Sequence, residues 1–266
     1  MGIINATPDS FSDGGTLYRN GRLDLEQAMK RARTMVAEGA SVLDIGGEST
    51  RPGAQAISEQ QELDRVVPLV ECIATELDVV ISVDTSSAAV MRAAAEAGAG
   101  LLNDVRALMC EGALAAAAAT GLPICLMHMQ GQPGTMQHKP DYVDVVSDVR
   151  DFLAARVTAC EAGGIPRQSL LIDPGFGFGK SLSHNLQLLA SLSALAMLEV
   201  PLLVGLSRKS MIGTLIDRPV DQRQAASLAL AVLAVERGAW IIRTHDVGAT
   251  VDALAMCQAV AEIRED

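Results

Sequence analysis

Eight short apolar runs punctuate this chain, and each ends, or nearly ends, in a polar residue able to do chemistry. Those residues are Asn5, Asp44, Asp84, Asn103, His128, Asp173, Ser207 and His245. A loop rich in Gly, Ser, Thr or Pro follows each run, and then a helix-like segment. Strands of a parallel sheet are buried on both faces, so they read as continuous apolar runs rather than alternating ones. Eight strand–loop–helix units therefore predict an α/β chain folded as a (β/α)8 TIM barrel. In that fold the strand ends converge on one face and build the active site. The 266 residues suit one such barrel, so a single domain is expected over 1–266. An open doubly wound sheet is the main structural rival. The count of eight and the lack of a GxGxxG after the first run favour closure.

Local signals place the elements. Strands are expected over 2–5, 41–45, 79–84, 100–103, 122–127, 169–173, 200–205 and 240–243. Asp24 caps a helix that Gly39 stops, and Ser58 with Gln61 fits a capping box for a helix over 58–77. The Ala-rich stretch 112–120 reads as a helix on propensity. Further helices are expected over 87–97, 143–162, 183–197, 222–236 and 249–263. The local sequences EGAS, AGAG and RGAW repeat a helix-stop glycine before a strand.

Composition narrows the function. Aromatic residues make up only 3% of the chain, so Ala, Val, Leu and Ile must fill the core. A net charge of −11 argues against nonspecific nucleic-acid binding, which needs Lys and Arg against phosphate. It leaves room for a small anionic substrate held by a local basic cluster. The five cysteines are scattered and form no CxxC pair, which argues against zinc or a disulfide framework. Cys72 and Cys125 sit in apolar runs and read as buried thiols in a reducing compartment. Asp9 and Asp13 interrupt any signal-peptide pattern, and the uncharged stretch 112–137 is too broken for a membrane span. A soluble, cytoplasmic protein is expected.

Several motifs carry chemistry. The segment DPGFGFGKS over 173–181 nearly matches a nucleotide-binding P-loop, but the first glycine of that signature falls at Pro174. The better reading is a Gly-rich loop that lets a flat ring approach the backbone, with Asp173 aimed at the ring. Asp84, Asn103 and Asp173 offer the acceptors and donor that match the edge of an aminopyrimidinone ring. Helix capping is the plain alternative for each. Lys209, Arg243, His245 and Arg51 are cations near strand ends of an acidic chain and suggest an anion site, such as one for phosphate. A solvated surface, or a structural histidine at 245, is the plain alternative. Asn5 and Asp9 are oxygen donors suited to magnesium. His184 reads as a helix residue, while His128 and His138 stay open. The loops TPDSFSDGG and GGESTRPGA have the composition of lids as well as of linkers.

Taken together, NATPDSFSDGG, DIGGESTRPGA, SVDTS, LNDVRAL, LMHMQG, IDPGFGFGKS, VGLSRKSMIG and RTHDV resemble the dihydropteroate synthase family, in that family's order over nearly the whole chain. The resemblance implies a homodimeric barrel that joins p-aminobenzoate to 6-hydroxymethyl-7,8-dihydropterin diphosphate. It places the pterin against Asp84, Asn103, Asp173 and Lys209, with Met127, Phe178 and Gly205 packing nearby. It places the diphosphate with Asn5, Arg51, Arg243 and His245, and Mg2+ at Asn5. It places p-aminobenzoate near Phe11, Thr50, Arg51, Pro52 and Ser207. Asp84, Lys209, Arg243 and His245 are the implied catalytic residues. The second loop carries no insertion, so ordinary sulfonamide sensitivity is expected. Two departures stand out. Almost nothing precedes the first strand, which implies a start placed differently or a barrel bottom closed differently. The stretch TLYRNGRLD is longer than usual, which implies altered dynamics of the first loop. The rival functions are a methyltetrahydrofolate-type barrel, which has no need of the cationic STRPG and SRKS loops, and a non-catalytic pterin-binding protein.

Overall fold

The computed structural model describes residues 1–7, 17–19, 22–49, 57–132, 134–137 and 139–265. Eight strands lie in one parallel sheet in chain order: β1 (Gly2–Asn5), β2 (Val42–Gly46), β3 (Val80–Asp84), β4 (Leu101–Asp104), β5 (Ile124–Met127), β6 (Leu170–Asp173), β7 (Leu202–Val204) and β8 (Ala239–Ile242). A parallel bridge between Gly2 and Thr244 joins β1 to the end of β8, and the Ile3 amide donates to the Thr244 carbonyl at 3.1 Å. That closure makes the sheet a barrel and removes the free edges an open sheet would keep.

Nine helices surround the barrel among the described residues: α1 (Leu25–Ala37), α2 (Glu59–Glu76), α3 (Ala88–Glu96), α4 (Ala113–Thr120), α5 (Val145–Ala162), α6 (Leu182–Ala190), α7 (Ser210–Ile216), α8 (Gln224–Val235) and α9 (Val247–Glu265). The expected caps are present. Asp24 accepts from the Gln27 amide at 3.1 Å, and Ser58 and Gln61 form both halves of a capping box. Gly39, Gly98 and Gly238 all adopt positive φ after their helices, as a left-handed helix stop requires.

Three elements depart from expectation. The helix expected over 183–197 is α6 followed, after Ser191, by a 3₁₀ segment over Leu192–Leu198. The helix α7 starts within the SRKSMIG stretch at Ser210 and runs on to Ile216, held by the buried Met211 and Ile212. Within TLYRNGRLD, Tyr18–Arg19 pairs antiparallel with Arg22–Leu23. The core is aliphatic, as the composition requires: Ile4, Leu43, Ile45, Val83 and Leu102 on the strands face Leu69, Ile73, Met91 and Leu153 on the helices. Each such burial contributes about 1.5–3 kcal/mol. All five cysteines are free. Cys125 is buried as expected, whereas Cys72 is only half-buried, because its position on α2 turns it toward the edge of the helix layer.

Candidate active site at the barrel mouth

Parallel pairing sets the site. Strand register places Asp84 opposite Asn103, Asp44 opposite Ser82, and Met127 opposite Asp173. Side chains near the strand C-termini therefore meet inside the mouth. A cavity of about 420 Å3 opens there, and Asn5, Asp84, Phe178, Gly205, Ser207, Lys209, Arg243 and His245 all line it. Asn103, Asp173 and Met127 are buried close to these strand ends. Phe11, Thr50, Arg51 and Pro52, as well as Asp9 and His138, lie outside the described residues. A larger hollow of about 560 Å3 lies between α1 and the start of α9, sharing only Arg208 and His245 with the mouth. It holds none of the carboxylates or Gly-rich residues that the chemistry needs.

The buried charges are paired. Arg243 donates from Nε to Asp44 Oδ2 at 2.6 Å and from Nη2 to Asp84 Oδ2 at 3.2 Å. Burial alone would lower the Arg243 pKa, but Asp44 and Asp84 outweigh it and keep the guanidinium charged. Asp44 is fully buried and also accepts from Ser82 Oγ at 2.6 Å and from Asn103 Nδ2 at 3.3 Å. That last bond turns the carbonyl end of the Asn103 amide away from Asp44, leaving it as an acceptor. Burial, and then the neighbouring Asp44, push the Asp84 carboxyl well above the ordinary carboxylate range, with Arg243 opposing. Burial also raises Asp173, against the pull of the Gly175 amide, which donates to Asp173 Oδ1 at 2.7 Å.

Lys209 sits in the turn between β7 and α7. Its Nζ lies 4.1 Å from the centre of the Phe178 ring, a cation–π contact. Burial first, and then Arg243, lower its pKa to about 8, with Asp173 and Asp84 opposing. The preceding Arg208 has a φ of 56°. Asp246 holds its guanidinium in a two-point salt bridge and Ser227 accepts from its amide, which fixes this strained turn. His245 shares a 2.9 Å hydrogen bond between Nδ1 and Ser207 Oγ.

The Gly-rich loop after β6 is packed close to β5. A Cβ on Gly175, at φ 68°, would lie 1.9 Å from the His128 carbonyl oxygen. The lysine of the motif, Lys180, is buried beneath the loop, so the P-loop likeness fails in structure as it does at Pro174. His184 belongs to the capping box that starts α6, as its helix reading implies.

Sequence reasoning left Asp44 without a role, and Glu48, Met136, Gln137 and Ser210 unnoticed, although they surround or line the mouth. Asp44 was visible only as one of eight strand-end polar residues. Ser210 was signalled by the same SRKS motif that marked Lys209.

Comparison with known proteins bears on this geometry. The model of the pterin binding enzyme family matches residues 1–245. A dihydropteroate synthase from Escherichia coli K12 is 52% identical over 266 residues, which is all of this chain and 93% of that protein. The chain belongs to the dihydropteroate synthase family. The synthase of Haemophilus influenzae is likewise 52% identical, over 98% of this chain and 93% of that protein. A Yersinia pestis dihydropteroate synthase solved with a sulfonamide drug complex superposes with a TM-score of 0.95 at 56% identity, covering 98% of this chain and 94% of that one. The synthase of Xanthomonas albilineans in complex with 7,8-dihydropteroate superposes at 0.86 with 48% identity, covering 98% and 92%. A family of pterin enzymes agrees with a mouth that presents carboxylates, an amide and a ring-stacked lysine.

Proposed function

We propose that this dihydropteroate synthase family member condenses p-aminobenzoate with 6-hydroxymethyl-7,8-dihydropterin diphosphate, releasing 7,8-dihydropteroate and diphosphate. One observation carries the reading: Asp84, Asn103, Asp173, Lys209 and Phe178 meet at one barrel mouth in a chain that matches synthases along its whole length. The carboxyls and the amide supply the hydrogen-bond pattern of an aminopyrimidinone edge. Phe178 and Gly205 supply flat, close surfaces for the ring.

The chemistry breaks the bond between the pterin methylene carbon and the bridging oxygen, and the electron pair leaves with diphosphate. The amine nitrogen of p-aminobenzoate then bonds to that carbon and loses a proton. Cations at the mouth, Lys209 and Arg243 with His245, offset the charge that grows on the leaving group. No covalent enzyme intermediate is required, so positioning and charge stabilisation supply most of the rate. Water is the competing nucleophile, and turnover to dihydropteroate requires that it be kept from the methylene carbon.

Asn5 ends β1 at the wall of this cavity and offers a carboxamide oxygen. No cluster of three His, Cys, Asp or Glu side chains occurs among the described residues. An amide oxygen at the wall suits Mg2+, which prefers oxygen ligands, keeps waters and binds substrate phosphate oxygens. Asn5 would hold it, and when bound the ion would add positive charge beside the diphosphate. A homodimer is proposed from the exposed apolar side chains Leu233 on α8 and Met256, Val260 and Ile263 on α9. A cytoplasmic location is part of the same reading; no helix among the described residues is long and apolar enough to cross a membrane.

The test is diphosphate release from the pterin diphosphate with Mg2+, with and without p-aminobenzoate, alongside Asp84→Ala and a micromolar sulfonamide arm. Release coupled to dihydropteroate formation, lost in the variant and suppressed by the drug, is the expected result. Tight pterin binding without turnover would favour a non-catalytic pterin-binding protein instead.

A further inference from the structure

Lys180 is the residue that a nucleotide-binding loop would turn toward phosphate. In this chain it turns the other way. Its side chain is 2% exposed, and its Nζ lies 2.9 Å from the Gly175 carbonyl oxygen, 3.1 Å from that of Phe178 and 2.9 Å from His128 Nδ1. The His128 carbonyl oxygen is a longer contact at 3.4 Å. Burial lowers the Lys180 pKa to about 7, with Asp173 opposing. In its protonated form the ammonium has three protons to donate, and three close acceptors meet it.

With Lys180 protonated, the His128 ring accepts at Nδ1 and carries its own proton on Nε2. Burial, and then Lys180, hold its pKa at about 3, so it stays neutral. The ring packs edge-on against Phe152 at 4.9 Å. His128 thus belongs to the support of the loop and not to a metal site.

We propose that Lys180 is a positioning residue for pterin recognition, its ammonium seated among the loop carbonyls so that the Gly175–Phe178 turn presents Asp173 and Phe178 to the ring. The inference rests on the synthase reading above. Gly175, Gly177 and Gly179 all have positive φ, a backbone with much freedom to lose on folding. Such a loop turns carbonyls inward, where each needs a donor. Gln137 donates to the Gly177 carbonyl and Tyr142 to that of Gly179, both from outside the loop. The Gly175 carbonyl accepts from the Phe178 amide at 3.1 Å within the turn, and the Lys180 ammonium bridges it to the Phe178 carbonyl. The two ends of the bridged turn are the functional ones. Asp173 accepts from the Gly175 amide, and the Phe178 ring lies against Lys209 Nζ. Loss of the ammonium would therefore loosen a carboxylate, a stacking ring and, through that ring, a catalytic lysine.

The test compares Lys180→Met, which keeps length without donors, with Lys180→Gln, which keeps a shorter donor. Both KM values, kcat and the melting temperature are measured. The expected result is a KM for the pterin diphosphate raised by about 10- to 100-fold in the Met variant, and by less in the Gln variant. The KM for p-aminobenzoate should stay within about threefold of wild type. A folded Met variant whose pterin KM is within about twofold of wild type would overturn the role. So would equal losses toward both substrates that track the folded fraction, or failure of both variants to fold, which would make Lys180 a folding element only. Wild-type turnover in the same assay separates the two claims. Its absence sinks the synthase reading, whereas normal wild-type turnover with an unshifted variant sinks only the positioning role.

Discussion

Replacing Asp84 with Asn should abolish turnover and at the same time stabilise the fold at neutral pH. Burial first, and then the adjacent Asp44, raise the Asp84 carboxyl to about 8. In the unfolded chain the same group titrates near 3.9 on the usual scale, roughly. A folded pKa above the unfolded one means that the folded state holds the extra proton between those values. The stability that Asp84 contributes is complete below about pH 4 and is lost as pH rises toward 8, at about 1.4 kcal/mol per unit. At neutral pH, about three units above the unfolded value, the loss has a ceiling of about 4 kcal/mol. Asn has no proton to lose and escapes that penalty. It gives up the 3.2 Å bond from Arg243, but Arg243 keeps Asp44 at 2.6 Å. That offsets about 1–2 kcal/mol. The expected net result is a variant about 2 kcal/mol more stable than wild type near pH 7 and about 1–2 kcal/mol less stable near pH 4. Urea denaturation at several pH values reads the difference directly. A variant less stable than wild type at neutral pH, or a difference that does not grow with pH, would refute the linkage.

Two further outcomes follow from the same geometry. Lys209, lowered to about 8 by burial, loses its charge as pH rises through that value, so kcat/KM for the pterin diphosphate should fall above about pH 8. Lys209→Arg should move that alkaline limb out of range, and an unmoved limb would assign it to another group. Gly175→Ala would set a Cβ 1.9 Å from the His128 carbonyl oxygen at a φ of 68°. Relief needs a shift of about 1 Å in the loop that carries Asp173 and Phe178, so kcat/KM should drop by about 100-fold. Gly134→Ala meets nothing within 4 Å and serves as the neutral control; a mild Gly175→Ala would show that the loop gives way freely.

The barrel was legible because a parallel strand covered on both faces must be apolar until it reaches the mouth. The first polar residue after each run therefore marks a strand end, which is how Asp84, Asn103 and Asp173 declared themselves. The short α7 was not legible, because SMIGTLI has a central Gly213 and forms its helix through the burial of Met211 and Ile212. The expected helix over 183–197 breaks at Ser191 for tertiary reasons that no period in the sequence records. The pairing of Tyr18–Arg19 with Arg22–Leu23 did have a signal, the Asn–Gly pair between them in the sequence, which favours a two-residue hairpin. The P-loop likeness, rejected at Pro174, left Lys180 without a role. The direction of its side chain depends on three left-handed glycines, not on the spacing of the motif.

Charge balance at the mouth is set by the tertiary fold and not by local sequence. From the sequence, Arg243 and Lys209 are simply cations near an expected anion site. In the fold, Arg243 lies between Asp44 and Asp84, and Lys209 is opposed by Asp173 and Phe178. Asp44 and Arg243 are 199 positions apart, and no local pattern links them. The pterin end of the mouth is therefore nearly neutral before substrate arrives. A diphosphate drawing on Arg243 must compete with the Asp44 carboxylate and the Asp84 carboxyl, and whatever charge it takes from Arg243 further raises the affinity of Asp84 for its proton. With the proposed substrates, pterin recognition and leaving-group stabilisation would be coupled through one guanidinium. This coupling explains why Asp84, Arg243 and Asp44 have to be read as one unit, in which removal of any member changes what the other two can do.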